Sequence, residues 1–526
     1  MSHSELPAEA GTIVVGAGTG GAAAAATLAA HSAESVLVLE AGPDYGSFAA
    51  GQWPKDVLDA KAIPLSHDWG LTTASASGRV LDLPRARVVG GCSSHNGCTA
   101  SLGAREDYDD WARQGNPGWE AATVEPLLDW AHQCFRVRRY RLDELTIAQQ
   151  AFVGAGVKAG LPFADDLDDL DAAAGIGPMP VNIVDGVRWN AAFAFLDPVR
   201  RSEHLVIAGN STVRRLLLEH GRAVGVEVSD AAGRPKRIRA ERVIIAAGAY
   251  LSPALLQRSG IGPASELTAL GVDPVINLPG VGGHLLDHAC VQLDFHGRDG
   301  LLDELAETPW NPDEQTVGRA RSSRCDAGPY DIHVFMVAGL NSGHPGLPPI
   351  TLYGGAMRAK SEGRVALRQA GSDVTPVIEH RYGTDPDHHD RAVLAESLEL
   401  LQAITGDPDL SQILGQPASR DHEPLADIVS YCHPAGTCKM GPASDPAAVV
   451  DPTGAVHGVE GLYVADASIM PSITRGNINL PTAMIGARVA SGILKLTPAD
   501  AVPTAQKARQ FPGRLHTLDR NESRTT

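Results

Sequence analysis

Residues 12–42 read TIVVGAGTGGAAAAATLAAHSAESVLVLEAG, and they are the strongest indication of fold in the chain. An apolar, β-branched run is followed by G-x-G-x-x-G at Gly16, Gly18 and Gly21 and then by many alanines. These features predict a buried strand, a tight phosphate-binding turn and a helix whose first amides face the phosphates. A second apolar run ends in Glu40, which is placed to accept a hydrogen bond from a ribose hydroxyl. A glycine triplet alone is often just a turn, but this order of features predicts an adenine dinucleotide site, without saying which dinucleotide.

The length and composition of the chain limit the classes of protein to which it can belong. A chain of 526 residues predicts two or three intergrown domains, and 43% hydrophobic with 20% charged residues is ordinary for a soluble globular protein. The net charge of −18 argues against a nucleic-acid partner and against an anionic membrane surface. These numbers favour a soluble enzyme and say little about its substrate.

The polar N-terminus, the shortness of the apolar segments and the odd number of cysteines together predict a cytoplasmic location. The first residues, MSHSELPAEAG, are polar, and no apolar segment is long enough to predict a membrane span. The chain has seven cysteines, an odd number that fits reduced thiols. Their spacing contains no C-x-x-C, and the acidic run at residues 165–171 lacks a turn glycine, so we expect no metal site.

A second glycine-rich run, RARVVGGCSSHNGCTA, covers residues 85–100. Adjacent glycines followed by small residues indicate backbone pressed against a flat or charged group, with amides exposed as donors. His95 stands where close packing would favour an aliphatic side chain. A lone histidine is usually a satisfied structural group, but its place in this loop makes it a candidate for chemistry.

Five motifs together resemble the glucose–methanol–choline (GMC) family of flavoprotein oxidoreductases. They are residues 85–100, then GAYLSPALLQRSGIG at 248–262, GVGGHLLDH at 280–288, HPAGTCKMG at 433–441 and DASIMPSITRGNINLPT at 466–482. The likeness is greatest to the choline oxidase branch, which shares GGCSSHN, REDYDDW at 105–111 and RYGTDPDHHD at 381–390. The resemblance implies an α/β fold with a Rossmann-like FAD-binding domain intergrown with an antiparallel-sheet substrate domain.

The resemblance also implies how the chain is divided. The FAD-binding domain is predicted at 9–160, 187–296 and 431–498, the substrate domain at 161–186 and 297–430, and a surface tail at 499–526. Strands at Tyr330–Val337, Ile350–Tyr353 and Val365–Arg368 are expected to form the sheet that roofs the flavin.

The family motifs assign FAD as the cofactor and place it on residues spread along the whole chain. The implied cofactor residues are Gly16, Gly18, Thr19, Gly21, Glu40, Ala41, Gly90, Gly91, Ser94, His95, Asn96, Gly97, Val213, Ala247, Asp466, Ala467, Asn477, Pro481 and Thr482. In the choline oxidase branch the histidine of GGCSSHN is bonded to the flavin, so the resemblance predicts covalent FAD at His95; the alternative is a histidine that only contacts the flavin edge. Asp466 could equally cap the turn that follows it.

Alcohol oxidation needs a base for the hydroxyl proton and a donor for the developing alkoxide. His433 and Asn477 match the family's catalytic pair, with His433 as base or alkoxide partner and Asn477 bonded to the substrate oxygen. The alternative is that Asn477 or Asn479 caps the helix that begins before Pro481.

The predicted reaction is oxidation of a small or medium primary alcohol, with oxygen as the expected acceptor. A dehydrogenase that uses a quinone or another acceptor, and a non-redox lyase with structural flavin, are the alternatives; a homodimer is compatible with the family. Choline itself is less expected, because residues 297–328, with Glu307, Trp310 and Glu314 as loose candidates, do not match the loop that would supply an aromatic cage and carboxylate. Gly97 and the pair Tyr431-Cys432 also depart from the choline oxidase pattern.

Overall fold

The computed structural model describes residues 6–75, 78–230, 232–339, 349–371, 375–418 and 423–503. The strands, β1 to β23 in chain order, are Glu9–Val15, Val36–Leu39, Leu71–Ala74, Val80–Leu83, Arg138–Arg139, Gly175–Pro178, Pro180–Val181, Ile183–Val184, Val187–Arg188, Leu205–Ala208, Thr212–Glu219, Arg222–Ser229, Pro235–Ile245, Ile261–Gly262, Ile276–Asn277, Ala289–Phe295, Thr316–Ala320, Ile332–Ala338, Ile350–Ala356, Arg364–Ala366, Val377–Glu379, Val429–Ser430 and Leu462–Val464. The helices, α1 to α13, are Thr19–His31, Lys55–Leu58, Arg105–Arg113, Ala121–Cys134, Ile147–Lys158, Asp197–Val199, Leu251–Arg258, Ala264–Ala269, Leu301–Glu307, His389–Thr405, Pro408–Leu414, Asn479–Leu494 and Pro498–Ala501.

The first sheet carries the predicted dinucleotide-binding strands. Its strand order is β10-β2-β1-β13-β12-β11, with β23 also paired to β13. The pairs β10–β2, β2–β1, β1–β13 and β13–β23 are parallel, whereas β13–β12 and β12–β11 are antiparallel, and Ile13 lies between Leu37 and Val243. The apolar run 13–15 at the end of β1 and the whole of β2 are buried, as the sequence predicted.

Helix α1 packs against the first sheet and against α12 with small residues at the contact. Residues 22–26, all alanine, are buried, and a Cβ atom on Gly486 would lie 2.0 Å from the carbonyl oxygen of Gly20. The two helices therefore touch through their backbones. The alanine-rich sequence is explained by this close approach as much as by helix propensity.

The second sheet is antiparallel, with the order β22-β16-β19-β18-β17-β6. The buried residues of one core cluster on this sheet come from β16, β18 and β19 and from helices α5, α10 and α11. The predicted strands at Tyr330–Val337 and Ile350–Tyr353 are confirmed as β18 and β19 with shifted ends. The prediction that Val365–Arg368 belongs to this sheet is wrong, since β20 pairs only with β21 in a separate two-stranded sheet.

Two elements differ from the predicted domain boundaries. Strand β16 lies within residues 187–296 but pairs with β19 and β22 of the second sheet. Helix α5 lies within residues 9–160 but packs into the core of the second sheet. The division into domains is a proposal, and these contacts would place both elements with the substrate domain.

Two further local features are a group of buried tryptophans and a hairpin turn. Trp111, Trp119 and Trp130, on or between α3 and α4, are buried in the core. His220 and Gly221 have φ of 50° and 77° and form the two-residue turn that connects β11 to β12. Within the described part of the chain no helix is long and apolar enough to cross a membrane. The predicted tail at 499–526 lies outside the described residues after residue 503.

Candidate active site

One cavity of about 1040 Å³ is lined by residues of both large sheets. It reaches from the glycine turn after β1 to the loops that carry His433 and Asn477. The predicted site residues that line it are Gly16, Gly18, Thr19, Glu40, Ala41, Gly91, His95, Asn96, Gly97, Val213, Ala247, His433, Asp466, Ala467, Asn477 and Thr482. Residues from many separate segments of the sequence thus meet around one space.

The structure places four predicted cofactor residues behind the cavity wall. A Cβ atom on Gly21 would lie 2.0 Å from the Gly16 carbonyl oxygen, so Gly21 allows the helix to pack on the turn. Gly90 has φ +99°, a left-handed conformation that favours glycine, and Ser94 and Pro481 are buried. These residues support the walls of the cavity and do not line it.

The glycine turn after β1 is in close contact with neighbouring backbone. Gly16 has φ +99°, and a Cβ atom there would lie 2.4 Å from the Ala246 carbonyl oxygen. A Cβ atom on Gly91 would lie 2.5 Å from the Gly18 Cα atom, so the two glycine-rich loops touch through their backbones. Helix α1 begins at Thr19 with no acidic residue in its first turn, which leaves its amide end free to attract an anion.

Glu40 is held in place by backbone amides. Its carboxylate accepts hydrogen bonds from the Ala17 amide at 3.0 Å and from the Gly42 amide at 2.9 Å. Burial raises the pKa of Glu40 above its ordinary value although both amides oppose the shift. The side chain therefore lies at the cavity wall in a fixed orientation, as expected of a residue that orients a ribose.

His433 and Asn477 meet at the other end of the cavity. Asn477 Nδ2 donates to His433 Nε2 at 3.2 Å, and the Tyr431 ring stacks on the His433 ring with centroids 4.6 Å apart. Burial, followed by the nearby His288 and Arg85, lowers the pKa of His433 well below its ordinary value. His433 is therefore neutral near pH 7 and able to accept a proton.

The alternative role of the asparagines as helix caps is not seen. The N-cap position of α12 is Ile478, which makes no side-chain capping bond. Asn479 Oδ1 instead accepts from the Thr19 hydroxyl at 2.7 Å, which ties α12 to the start of α1. Asn477 is thus directed at His433 and not at the helix.

Asp287 anchors the His433 loop and was not identified from the sequence. Its carboxylate accepts from the His433 amide at 2.8 Å, the Tyr382 hydroxyl at 2.7 Å and the Ser430 hydroxyl at 2.5 Å. Cys432 has a left-handed φ of 66°, so the loop turns sharply just before His433. The sequence signal was a carboxylate inside the motif at residues 280–288.

Asp466 is both a turn cap and a cavity-lining residue. It caps the following turn by accepting from the Ser468 amide at 2.8 Å, and it also lines the cavity. Its other oxygen accepts from the Gly248 amide at 2.8 Å and the Ser252 hydroxyl at 2.5 Å. Asp466 therefore joins two of the family-like motifs at the cavity wall.

His95 lines the cavity with one nitrogen unused. Within the described residues Nε2 is buried and has no hydrogen-bond partner. Burial lowers the pKa of His95 to about 4, although the nearby charge of Asp68 opposes this shift. The ring is therefore a neutral imidazole with a free buried nitrogen, which is rare for a purely structural histidine.

Glu314 places a carboxylate next to Gly97. A Cβ atom on Gly97 would lie 3.1 Å from Glu314 Oε2, and the carboxyl group lines the cavity. Burial, and then the charge of Asp313, raises the pKa of Glu314 to about 7. Within the described residues Glu314 is half-buried, and its exposed part faces the cavity.

Three aromatic rings share this end of the cavity with Glu314. Phe335 and Tyr353 stack with centroids 4.9 Å apart, and Tyr431 lies 4.9 Å from Phe335. Trp310 packs behind these rings, whereas Glu307 is exposed at the end of α9 and does not line the cavity. Phe335 and Tyr353 were not identified from the sequence, because nothing in their strands distinguishes cavity-facing from core aromatics.

Within the residues that the structure describes, no three His, Cys, Asp or Glu side chains come together in a way that could hold a metal ion. All seven cysteines are free thiols.

Comparison with known proteins agrees with this geometry. The N-terminal and C-terminal models described as GMC oxidoreductase match residues 12–290 and 359–486. An oxygen-dependent choline dehydrogenase of Brucella canis is 35% identical, with 93% of this chain and 96% of that protein covered. Human mitochondrial choline dehydrogenase is 35% identical, with 94% and 91% covered. Pyridoxine 4-oxidase from Mesorbium loti superposes with a TM-score of 0.80 at 25% identity, with 93% of this chain and 99% of that chain covered.

Proposed function

The chain belongs to the GMC oxidoreductase family and is an FAD-dependent oxidoreductase acting on CH–OH groups, and we propose that it oxidises a small alcohol to the aldehyde or acid, with oxygen as acceptor. The observation that carries the proposal is the contact between His433 and Asn477 inside the cavity. FAD, when bound, would accept the hydride from the carbinol carbon. The remaining steps belong to the side chains of the chain itself.

The His433–Asn477 pair can activate a hydroxyl group. A substrate oxygen that replaces the hydrogen bond between Asn477 Nδ2 and His433 Nε2 would give its proton to His433 Nε2 and accept a hydrogen bond from Asn477 Nδ2. A neutral imidazole is a suitable base, and an amide donor stabilises negative charge on the alkoxide as it forms. Asp287 keeps the His433 backbone in place while this happens.

The residues at the other end of the cavity fit FAD. The turn at Gly16 and Gly18 with the start of α1 would hold the pyrophosphate, and Glu40 would accept from the ribose. Gly91, Asn96 and Gly97 would lie against the flavin ring. The close backbone approach of Gly91 and Gly18 supports this placement, because a Cβ atom on Gly91 would lie only 2.5 Å from the Gly18 Cα atom and would separate the two loops.

We also propose that FAD is attached covalently through His95 Nε2. A buried imidazole nitrogen without a partner, on a residue that lines the cavity, is the feature that supports the bond. The attachment would hold the flavin end, while the glycine turn holds the adenine end. A histidine that only contacts the flavin edge is the alternative.

Glu314 favours an alcohol that carries a positive charge as a second candidate substrate. A carboxylate beside three aromatic rings is the arrangement that binds ammonium groups, and two relatives are named choline dehydrogenases. An uncharged primary alcohol is the alternative favoured by the unmatched segment at 297–328.

The acceptor and the location are further proposals. The name of the Brucella canis relative supports oxygen as acceptor, while a quinone or another acceptor is the alternative.

Seven free thiols support a reducing compartment such as the cytoplasm. A homodimer and a non-redox lyase with structural flavin stay as predictions to be tested.

An alcohol panel tests the proposed function. Neutral primary alcohols, choline and primary amino alcohols would be offered to the holoenzyme, once with oxygen and once anaerobically with a redox dye. Turnover with oxygen supports an oxidase, and turnover with the dye alone supports a dehydrogenase. Absence of turnover with every alcohol under both conditions would contradict alcohol oxidation and favour the lyase.

A further inference from the structure

We propose that His288 is a positioning residue that holds His433 in the tautomer whose Nε2 lone pair faces the cavity. His288 Nδ1 lies 2.9 Å from His433 Nδ1, and His288 Nε2 lies 3.1 Å from the Thr474 carbonyl oxygen. The inference rests on the proposed role of His433 as the base. It adds the reason why the reactive nitrogen is unprotonated.

The Thr474 carbonyl sets the tautomer of His288. A carbonyl oxygen can only accept a hydrogen bond, so His288 Nε2 must carry the hydrogen. Burial lowers the pKa of His288 to about 4, and the ring is neutral at neutral pH. A neutral imidazole has one N–H, so His288 Nδ1 is left with a lone pair.

The tautomer of His288 then sets that of His433. Two ring nitrogens 2.9 Å apart need one hydrogen between them, and His288 Nδ1 has none to give. His433 Nδ1 must therefore be the donor. Because His433 is also neutral, its Nε2 carries a lone pair, and this agrees with Asn477 Nδ2 donating to the same atom.

The Thr474 carbonyl is itself held by the residues on both sides of it. The Ile473 carbonyl accepts from Arg358 Nη1 at 3.2 Å, and the Arg475 amide donates to Asp107 Oδ2 at 2.8 Å. Thr474 is fully buried. A backbone carbonyl cannot change its role, so the protonation pattern of the base is fixed by the fold itself and not by a titrating neighbour.

Two substitutions of His288 distinguish control of the His433 tautomer from a role in packing alone. Gln at position 288 can place an amide N–H near the Nε2 position and donate to Thr474, but it leaves no acceptor for His433. Asn can place its oxygen near the Nδ1 position and accept from His433, but it cannot reach Thr474. The pair therefore removes one of the two contacts at a time.

We expect His288→Gln to lower kcat/KM for the best alcohol by about 10- to 100-fold and His288→Asn to lower it much less. Exchange between two neutral tautomers changes no proton count, so the loss in His288→Gln should be equal at every pH where His433 is neutral. Flavin absorbance and the melting temperature establish that each variant is folded. A kcat/KM of His288→Gln within about threefold of the wild type, or equal losses in both variants, would overturn the proposal.

Nitrogen-15 NMR of histidine-labelled holoenzyme tests the tautomer without turnover. We expect the His433 signals, identified by their loss in His433→Asn, to show a protonated Nδ1 and an unprotonated Nε2. A protonated Nε2 in the wild type would overturn the inference, even if His288→Gln fails to fold. If no alcohol reduces the flavin but the NMR pattern is as expected, the proposed reaction fails and the tautomer assignment stands.

Discussion

His95 and His433 are two neutral imidazoles in the same cavity, and their hydrogen bonds give them different chemistry. Burial lowers the pKa of both rings. His433 has partners on both nitrogens, which orients the ring for proton transfer. His95 Nε2 has none among the described residues, which leaves that nitrogen free for a covalent bond.

Replacing His95 tests the covalent bond. Wild-type holoenzyme precipitated with acid should keep its yellow colour in the pellet, and its intact mass should include FAD. His95→Ala should release all flavin to the supernatant. His204→Ala, a half-exposed histidine that does not line the cavity, should behave like the wild type. Release of the flavin from wild-type protein would contradict the bond.

Glu314 predicts how substrate affinity depends on pH. Its pKa in the folded protein is about 7, so the carboxylate is lost as pH falls through 7. We expect KM for a cationic alcohol to rise as pH falls through this range. Glu314→Gln should raise that KM about tenfold above pH 7, a difference of about 1.4 kcal/mol, and should remove this pH dependence.

The matched control for this experiment is Glu307→Gln, which changes an exposed carboxylate outside the cavity. It should leave KM for both cationic and neutral alcohols unchanged. An unchanged ratio of KM for cationic and neutral alcohols in Glu314→Gln would rule out charge recognition by Glu314.

At the scale of single residues, the sequence identified the pair His433 and Asn477 and the cavity position of His95, because each lies in a recognisable motif. Asp287 and His288 were missed as partners of His433, although their motif was quoted. Their contacts join residues 146 and 145 positions apart. No local pattern in a sequence reports which distant side chains a backbone turn will bring together.

At the scale of elements, helices α1 and α12 touch through their backbones near the glycine turn that lines the cavity. A Cβ atom on Gly486 would meet the Gly20 carbonyl oxygen at 2.0 Å, which no side-chain movement can relieve. Gly486→Ala should therefore separate the helices and destabilise the protein by about 1–3 kcal/mol in urea unfolding. Weaker retention of FAD should accompany it, because α1 begins at the phosphate turn.

Gly492→Ala, on the same helix, is the matched control. A Cβ atom there would lie 3.6 Å from Arg488 Nη1, an ordinary contact. The substitution should be neutral or slightly stabilising, since alanine restricts the unfolded chain. Equal stability of Gly486→Ala and Gly492→Ala would show that the α1–α12 contact does not limit packing.

Elements were predicted well where their signal is local. The apolar runs of β1 and β2 and the glycine turn between β1 and α1 have the lengths and residues that such structures need. Sheet membership was predicted less well: β16 and α5 pack on the second sheet, and β20 lies outside it. An apolar run shows that a strand is buried, but its neighbours are decided by contacts between distant segments.

At the scale of the whole molecule, the two large sheets each contribute one side of the chemistry. The first sheet leads into the glycine turn and Glu40, and the second sheet supplies Phe335 and Tyr353, which line the same cavity as Glu314. His433 and Asn477 lie on loops where these halves meet. The family was recognisable from the sequence because its motifs line or brace this one cavity, whereas the substrate was not, because the segment that shapes the chamber matches poorly.

The most direct test of the proposed function is rapid anaerobic mixing of the holoenzyme with the best alcohol while flavin absorbance is followed. We expect the wild type to bleach in a single phase that saturates with alcohol, and His433→Ala to bleach about 10²- to 10⁴-fold more slowly. His204→Ala should bleach at the wild-type rate. Flavin that stays oxidised with every alcohol, or a His433→Ala rate equal to that of the wild type, would contradict alcohol oxidation with His433 as the base.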